Sequence, residues 1–258
     1  MSKNKTILAA AIATIIASAS TAHAAEFKSG AYLGAHGSVL SDGESGFSSS
    51  TDYGYSESKM EDSMDLNGDV EVGLHAGYNW LMPVIFPMAD RGVTLLLGLE
   101  LNGSYGGPDG SKVKVATGTD TYEDGDEVDF TSTHGESREM TWNTEFRLRA
   151  GVVYKSVALY AFGGPVIAGI EEGSSYETVY SDGDVYGNKS STDQFAFGYV
   201  VGGGVEWQVT NCLSVLAEVA YRDLTVNESK YSYNGSLGSK EQSDMRDTSV
   251  SVGMNFRF

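Results

Sequence analysis

Few side chains in this 258-residue chain could carry chemistry, and they are scattered. Of its four histidines, His23 lies in the N-terminal leader, His134 in a polar stretch, and His36 and His75 in segments of alternating polarity. A histidine acts as a general base when a second group orients it and a nucleophile lies within reach. By parity His75 shares one face of an extended segment with Glu71, two same-face positions away, but no nucleophile oriented by that pair is visible, so His75 is expected to join a structural network. Gly202-Gly-Gly204 is not followed by a strand-to-helix transition, so it is a packing or bulge position and not a phosphate loop. The acidic run from Asp120 to Asp129 has Tyr122 where a calcium loop needs an oxygen ligand, and reads as a solvated loop. Cys212 is the only cysteine, which excludes an intrachain disulfide; in an oxidising compartment it is expected to be sheltered and structural. No catalytic residue, metal ligand or cofactor is implied.

The elements that position these groups are extended. Eight segments alternate with a period of two: Gly30 to Leu40, Asp69 to Trp80, Val93 to Tyr105, Met140 to Tyr154, Val157 to Ile170, Gln194 to Gln208, Leu213 to Arg222 and Asp244 to Phe258. Successive side chains in a strand point to opposite faces, so Val70, Val72, Leu74, Ala76, Tyr78 and Trp80 oppose Asp69, Glu71, Gly73, His75 and Asn79. In the last segment Val250, Val252, Met254, Phe256 and Phe258 oppose Ser251, Gly253, Asn255 and Arg257. The first segment has small residues on both faces. The fifth is apolar on both and is interrupted by Gly163-Gly164-Pro165, where a bulge is expected.

Strands with one oily and one polar face need oil and water on opposite sides. The polar sets together contain Asp69, Glu71, His75, Glu100, Glu145, Arg147, Arg149, Glu206, Glu218, Arg222 and Arg257. Nearly balanced charge of this kind is expected to form a salt-bridge network that fills a narrow interior. Tyr78, Trp80, Tyr105, Trp142, Tyr154, Trp207, Tyr221 and Phe258 stand near the ends of the apolar stripes, as in aromatic girdles at two lipid–water boundaries.

The connections alternate in length. Residues 41–68, 106–139, 171–193 and 223–243 are long and polar, while 155–156 and 209–212 are tight turns. Long loops outside and short turns in the periplasm are the barrel arrangement. A soluble β-sandwich could alternate too, but would have to bury the strand-end aromatics. Lys3 and Lys5, an apolar run and Ala22-His23-Ala24 make residues 1–24 a secretory signal, too short in its apolar part for the roughly 20 residues a spanning helix needs. Its removal takes two lysines and no acid, moving the formal charge from −18 to −20. Such acidity argues against nucleic acid as a partner.

Ala76-Gly-Tyr-Asn-Trp80, Leu97-Gly-Leu-Glu100, Arg147-Leu-Arg-Ala-Gly151, Tyr160-Ala-Phe-Gly-Gly164, Gly202-Gly-Gly-Val-Glu-Trp207, Ala217-Glu-Val-Ala-Tyr221 and Val252-Gly-Met-Asn-Phe-Arg-Phe258 resemble the strand signatures of small bacterial outer-membrane β-barrel proteins. The likeness is to the alphaproteobacterial porin-like surface antigens and, more loosely, to opacity proteins and the OmpA barrel. It covers nearly all of residues 25–258; the turn with Pro83 and Pro87 and the long loops depart from it. The resemblance implies an all-β, eight-stranded antiparallel transmembrane up-and-down barrel with four long extracellular loops. It also implies outer-membrane localisation and a C-terminal strand read by the barrel-assembly machinery.

Most of the acids lie in the long connections, among Tyr53, Tyr55, Tyr122, Tyr176, Tyr180, Tyr186, Tyr231 and Tyr233, a composition suited to adaptable protein recognition. The expected function is that of a monomeric, non-enzymatic barrel among outer-membrane lipid and lipopolysaccharide. It would serve envelope integrity or bind host or environmental surface ligands through its loops. A narrow passive porin is the main alternative, and a lipid-modifying enzyme the third.

Overall fold

Period-two alternation over segments rich in Val, Leu, Tyr and Phe dictates half-buried strands. The computed structural model describes residues 25–41, 43–52, 57–83, 92–121, 127–230 and 239–258. Residues 1–24, where the secretory signal is expected, Tyr53, Tyr55, Pro87, Tyr122, Tyr231, Tyr233 and the centre of the acidic run (122–126) lie outside the described residues. Among the described residues the regular elements are all strands: β1 (Gly30–Leu40), β2 (Gly43–Asp52), β3 (Glu57–Leu66), β4 (Val70–Pro83), β5 (Val93–Tyr105), β6 (Asp109–Thr121), β7 (Glu127–Tyr154), β8 (Val157–Tyr180), β9 (Val185–Gln208), β10 (Leu213–Lys230) and β11 (Ser239–Arg257).

Eight of them form an antiparallel ring in the order β1-β4-β5-β7-β8-β9-β10-β11, closed by β1 against β11. The closing register runs from Tyr32 opposite Arg257 to Leu40 opposite Ser249. Outside the ring, β2 and β3 form a hairpin added to the outer end of β11, and β6 pairs with the outer half of β7. The long polar connections are therefore in large part strand themselves: β7 reaches Glu127 and β8 reaches Tyr180, well past their expected ends. Counted from Trp142, the fifteen residues to Glu127 add roughly 50 Å of strand. Ser, Thr and Gly do not signal a strand by polarity, but once a neighbour is present the ladder continues.

The apolar face points outward. Val70, Val72, Leu74 and Ala76 are exposed, whereas Glu71 and His75, which alternate with them, are buried. β1 turns Tyr32 and Ser38 inward, and β8 turns Ala158, Tyr160 and Phe162 inward, which settles the two segments with ambiguous faces. Trp80, Tyr154, Trp207 and Phe258 stand near the turn ends of their strands; Tyr105, Trp142 and Tyr221 stand at the other boundary. From Trp142 to Tyr154 there are twelve steps, roughly 30 Å across a membrane at a strand tilt of about 40°. Tyr105 lies directly opposite Trp142, whose indole covers Gly169 and meets Phe195 edge-on at 6.1 Å. Trp207 and Tyr221 are partly covered, the rest of the girdle set exposed.

Three expectations need correction. The register shift in the β7–β8 ladder falls between Met140 and Trp142, not at Gly163-Gly164-Pro165. At Gly164 the ladder is interrupted but keeps its register, because Pro165 supplies no N–H and a Cβ on Gly164 would lie 1.8 Å from the Phe146 carbonyl oxygen. Cys212 is exposed, not sheltered: the turn between β9 and β10 is too short to cover it. Asp69 precedes β4, is exposed, and accepts a hydrogen bond from the Val70 N–H, so it lies outside the interior.

Two outcomes follow. Gly164→Ala is expected to lower unfolding free energy by at least about 2 kcal/mol in urea titrations of the lipid-embedded barrel, while Gly103→Ala, with open space around it, stays within about 0.5 kcal/mol. A membrane-impermeant maleimide is expected to leave Cys212 unlabelled in intact cells and to label it after outer-membrane permeabilisation; labelling of intact cells would reverse the topology.

Candidate functional site

The ring interior receives every second side chain of eight strands and is just wide enough to be filled by them. Charges placed there leave water, and each ion carries a desolvation cost of several kcal/mol unless it is paired. The structure pairs them in one continuous column. Asp247 on β11 accepts from Arg222 on β10 at 2.9 Å, and Arg222 also donates to Glu71 at 2.8 Å and lies 3.6 Å from Glu145. Glu145 bonds Arg147 two residues on, and Arg147 reaches Glu100 on the adjacent strand at 3.2 Å and Glu218 across the lumen at 2.9 Å. Arg149 then links Glu100 at 3.2 Å to Glu206 at 3.1 Å, and Arg257 closes the column on Glu206 at 2.6 Å. Arg149 and Glu206 have no exposed surface.

Local geometry explains these contacts. Arg147 and Arg149 are i and i+2 on β7, so both enter the lumen one above the other. Glu100 lies directly opposite Arg147 in the β5–β7 register, the closest cross-strand position. Tyr32 donates to Glu100 at 2.7 Å, and Tyr160 donates to Glu218 at 2.7 Å. The Arg149 guanidinium lies 3.9 Å from the Tyr160 ring centroid, and Arg147 lies 4.5 Å from that of Phe162. Both rings need space on the neighbouring strand. Tyr160 is opposite Gly204 and Phe162 opposite Gly202, and a Cβ at either glycine would meet the ring or its hydroxyl, so the three-glycine motif is a packing feature.

The periplasmic mouth is stopped by the segment before β1. Phe27 is buried, its N–H bonds the Lys155 carbonyl at 3.1 Å, and the Arg257 guanidinium covers its ring at 4.2 Å. Asn255 donates to Glu206 at 2.9 Å, and Asn143 to Glu71 at 3.1 Å.

Of the interior residues named from sequence, Glu71, His75, Glu100, Glu145, Arg147, Arg149, Glu206, Glu218, Arg222 and Arg257 all lie in the lumen; Asp69 does not. His75 does not bond Glu71, which is held by Arg222 and Asn143; its partners are His36 and Asn255. Sequence reasoning passed over Asp247, Tyr32, Tyr160 and Phe27. Asp247 has the parity of Asn255 and Arg257, so alternation could have found it. Tyr160 lay in the segment apolar on both faces, and Phe27 precedes the strands, so neither carried a signal. Among the described residues there is no group of three or more His, Cys, Asp or Glu placed to hold a metal.

The column is testable at Asp247, whose ion-pair partner among the described residues is Arg222. Arg222→Met leaves Asp247 as an uncompensated buried charge, takes the guanidinium from Glu71 as well, and is expected to cost about 3–5 kcal/mol of unfolding free energy. Adding Asp247→Asn should recover the part of that loss due to Asp247 in a double-mutant cycle read by urea unfolding.

Comparison with curated protein sequences finds no match. Among solved structures, the chain is similar to Neisserial surface protein A, with 13% identity over 88% of this chain and 97% of that one and a TM-score of 0.27. It is similar also to Ail, the attachment invasion locus protein of Yersinia pestis, with 11% identity, 87% and 99% coverage and a TM-score of 0.22. The outer membrane protease OmpT from Escherichia coli gives 11%, 88% and 97%, with a TM-score of 0.26. Scores of this size carry no functional argument. A family model, by contrast, matches residues 8–258, and the eight-stranded ring has the architecture it describes. The chain belongs to the outer membrane protein beta-barrel domain family.

Proposed function

We propose that this outer-membrane barrel is a non-enzymatic, monomeric display protein: its interior is a structural plug, and its extracellular strand extensions present an acidic recognition surface. The observation that carries the reading is the column from Asp247 to Arg257, in which all four guanidiniums are buried, Arg147, Arg149 and Arg222 are each shared between carboxylates, and Arg257 ends the column on Glu206. Opening a water path through it would break several buried charge-assisted bonds at once.

The outer sheet of β6 with the extended halves of β7, β8 and β9 supports the second part. On it Asp129, Glu139, Glu171, Glu177 and Asp193 share one face by register, with Lys189 as the base among them. Tyr176 and Tyr186 are exposed on the opposite face. Aromatics that offer large contact area at low entropy, set among small polar residues, suit protein recognition. In this reading lipid and lipopolysaccharide surround the aromatic girdles, divalent cations moderate repulsion between the acidic sheet and anionic sugars, and the assembly machinery reads Val250 to Phe258. The leader 1–24 directs export.

Purified protein in planar bilayers is expected to give no reproducible nanosiemens-scale openings; such openings would establish the narrow-pore reading instead. Removing residues 173–192 should leave the heat-dependent gel shift of the folded barrel intact while reducing binding to matrix-coated surfaces at least tenfold. Unchanged binding would place recognition elsewhere.

A further inference from the structure

One lumenal group stands apart from the arginine column. The Nδ1 atoms of His36 on β1 and His75 on β4 face each other at 3.2 Å. Each ring is engaged at its other nitrogen: His36 Nε2 with Ser104 Oγ at 3.3 Å, and His75 Nε2 with Asn255 Oδ1. The seats are built for imidazoles, because a Cβ on Gly73 would fall 2.4 Å from the His36 ring and one on Gly34 would fall 2.3 Å from His75 Nε2.

The chain of bonds fixes where the protons are. Asn255 Nδ2 donates to Glu206, an acceptor, so Asn255 presents its carbonyl oxygen to His75. His75 Nε2 must then carry hydrogen, which leaves His75 Nδ1 bare in the neutral ring. His36 Nδ1 must therefore donate to it, leaving His36 Nε2 bare to accept from the Ser104 hydroxyl. The bonds run in one direction, Ser104 to His36 to His75 to Asn255 to Glu206.

We infer that His36 and His75 form a binding site for a single proton inside the plug. A proton entering from water at His36, the partly exposed member of the pair, can be accommodated without losing a bond. His75 then donates through Nδ1 to His36 Nδ1, and His36 Nε2–H donates to Ser104 Oγ, which turns from donor to acceptor. A second proton cannot enter, because two N–H groups would face each other at 3.2 Å on two cations. The charged groups that bear on His36 are Glu71 from β4 and Glu218 from β10, against Arg147 from β7 and its burial in the lumen; Glu100 from β5 bears on His75, Tyr32 from β1 lies edge-on to it, and Asn255 is the neutral neighbour on β11. The column as a whole holds six carboxylates, Glu71, Glu100, Glu145, Glu206, Glu218 and Asp247, against four guanidiniums. One extra positive charge moves it toward balance.

Below about pH 6 both rings are charged in the unfolded chain, but the folded pair has room for only one added proton. The unfolded state then binds at least one proton more, so these rings make stability fall as pH falls. The test is ¹⁵N NMR of the histidine rings in nanodiscs. At pH 8 the expected pattern is hydrogen on His75 Nε2 and on His36 Nδ1, and on lowering the pH to 5 both rings change together with the uptake of one proton. Independent titration of each ring by a full proton in the folded barrel would overturn the proposal. Hydrogen on Nε2 of both rings at pH 8, with both Nδ1 signals moving on addition of Zn²⁺, would make this a metal site instead. In urea unfolding between about pH 6 and 5, the equilibrium constant of the wild type should rise about tenfold per pH unit more than that of the double variant His36→Gln, His75→Gln; equal slopes, or a difference of about a hundredfold per unit, would overturn the one-proton count. The NMR arm needs no variant and decides the matter if the double variant does not fold.

Discussion

Hydrocarbon offers no partner to a backbone N–H or carbonyl, so a chain that crosses it in extended form must satisfy every such group on a neighbouring strand. That requirement closes the ring. It is why β11, last in sequence, lies beside β1, with Val250 opposite Val39 and Phe256 opposite Leu33. Once eight strands close, the diameter is set, and with it an interior that side chains alone can fill. The other features follow from that narrow cylinder: oily residues outside, aromatic belts at its two rims, and a lumen in which each group must find a partner within the protein.

The lumen meets the last demand with alternating charge. Guanidinium groups have several donors in a fixed plane, so one arginine can hold carboxylates from different strands. Arg147 does so for Glu145, Glu100 and Glu218, and Arg222 for Glu71 and Asp247. The network therefore ties strands on opposite sides of the ring together, something a backbone ladder cannot do. Tyr32, Tyr160 and Phe162 occupy the space between the charges, and Gly202 and Gly204 make room for the last two. The two histidines belong to the same interior, in a chain of bonds that runs from Ser104 to the Glu206 carboxylate, and the direction of that chain sets where their protons lie.

Beyond the outer girdle the constraint lifts, and so does the alternation of oil and water. The strands nevertheless run on. β6 to β9 stay paired into the solvent, with Arg138 bridging to Glu172 and Gln194 donating to the same carboxylate at 2.9 Å. Here water covers both faces, so polar side chains are free to vary while the backbone ladder supplies order. This separation of a constrained barrel from an unconstrained extension lets one fold carry different recognition surfaces.

How much of this was legible follows from the same physics. Lipid outside and charge inside impose a strict period of two, so the faces of β4, β5, β7, β9, β10 and β11 and the ten lumenal charged or histidine residues could all be read from spacing alone. Where the period fails, so does the reading. Tyr160 sits in a segment apolar on both faces, Phe27 lies before any strand, and the outer halves of β7 to β9 are polar on both sides. Asp69 obeys the parity, yet the strand begins one residue later. Which acid meets which arginine was beyond sequence, because the column joins Glu218 to Arg147 and Arg257 to Glu206 across the lumen, and such distances exist only once the ring has closed. The sequence by itself determined membrane, strands and facing, since each depends on neighbours along the chain. The tertiary structure alone decided the pairing, the position of the histidine protons and the exposure of Cys212, since each depends on what a closed cylinder brings together.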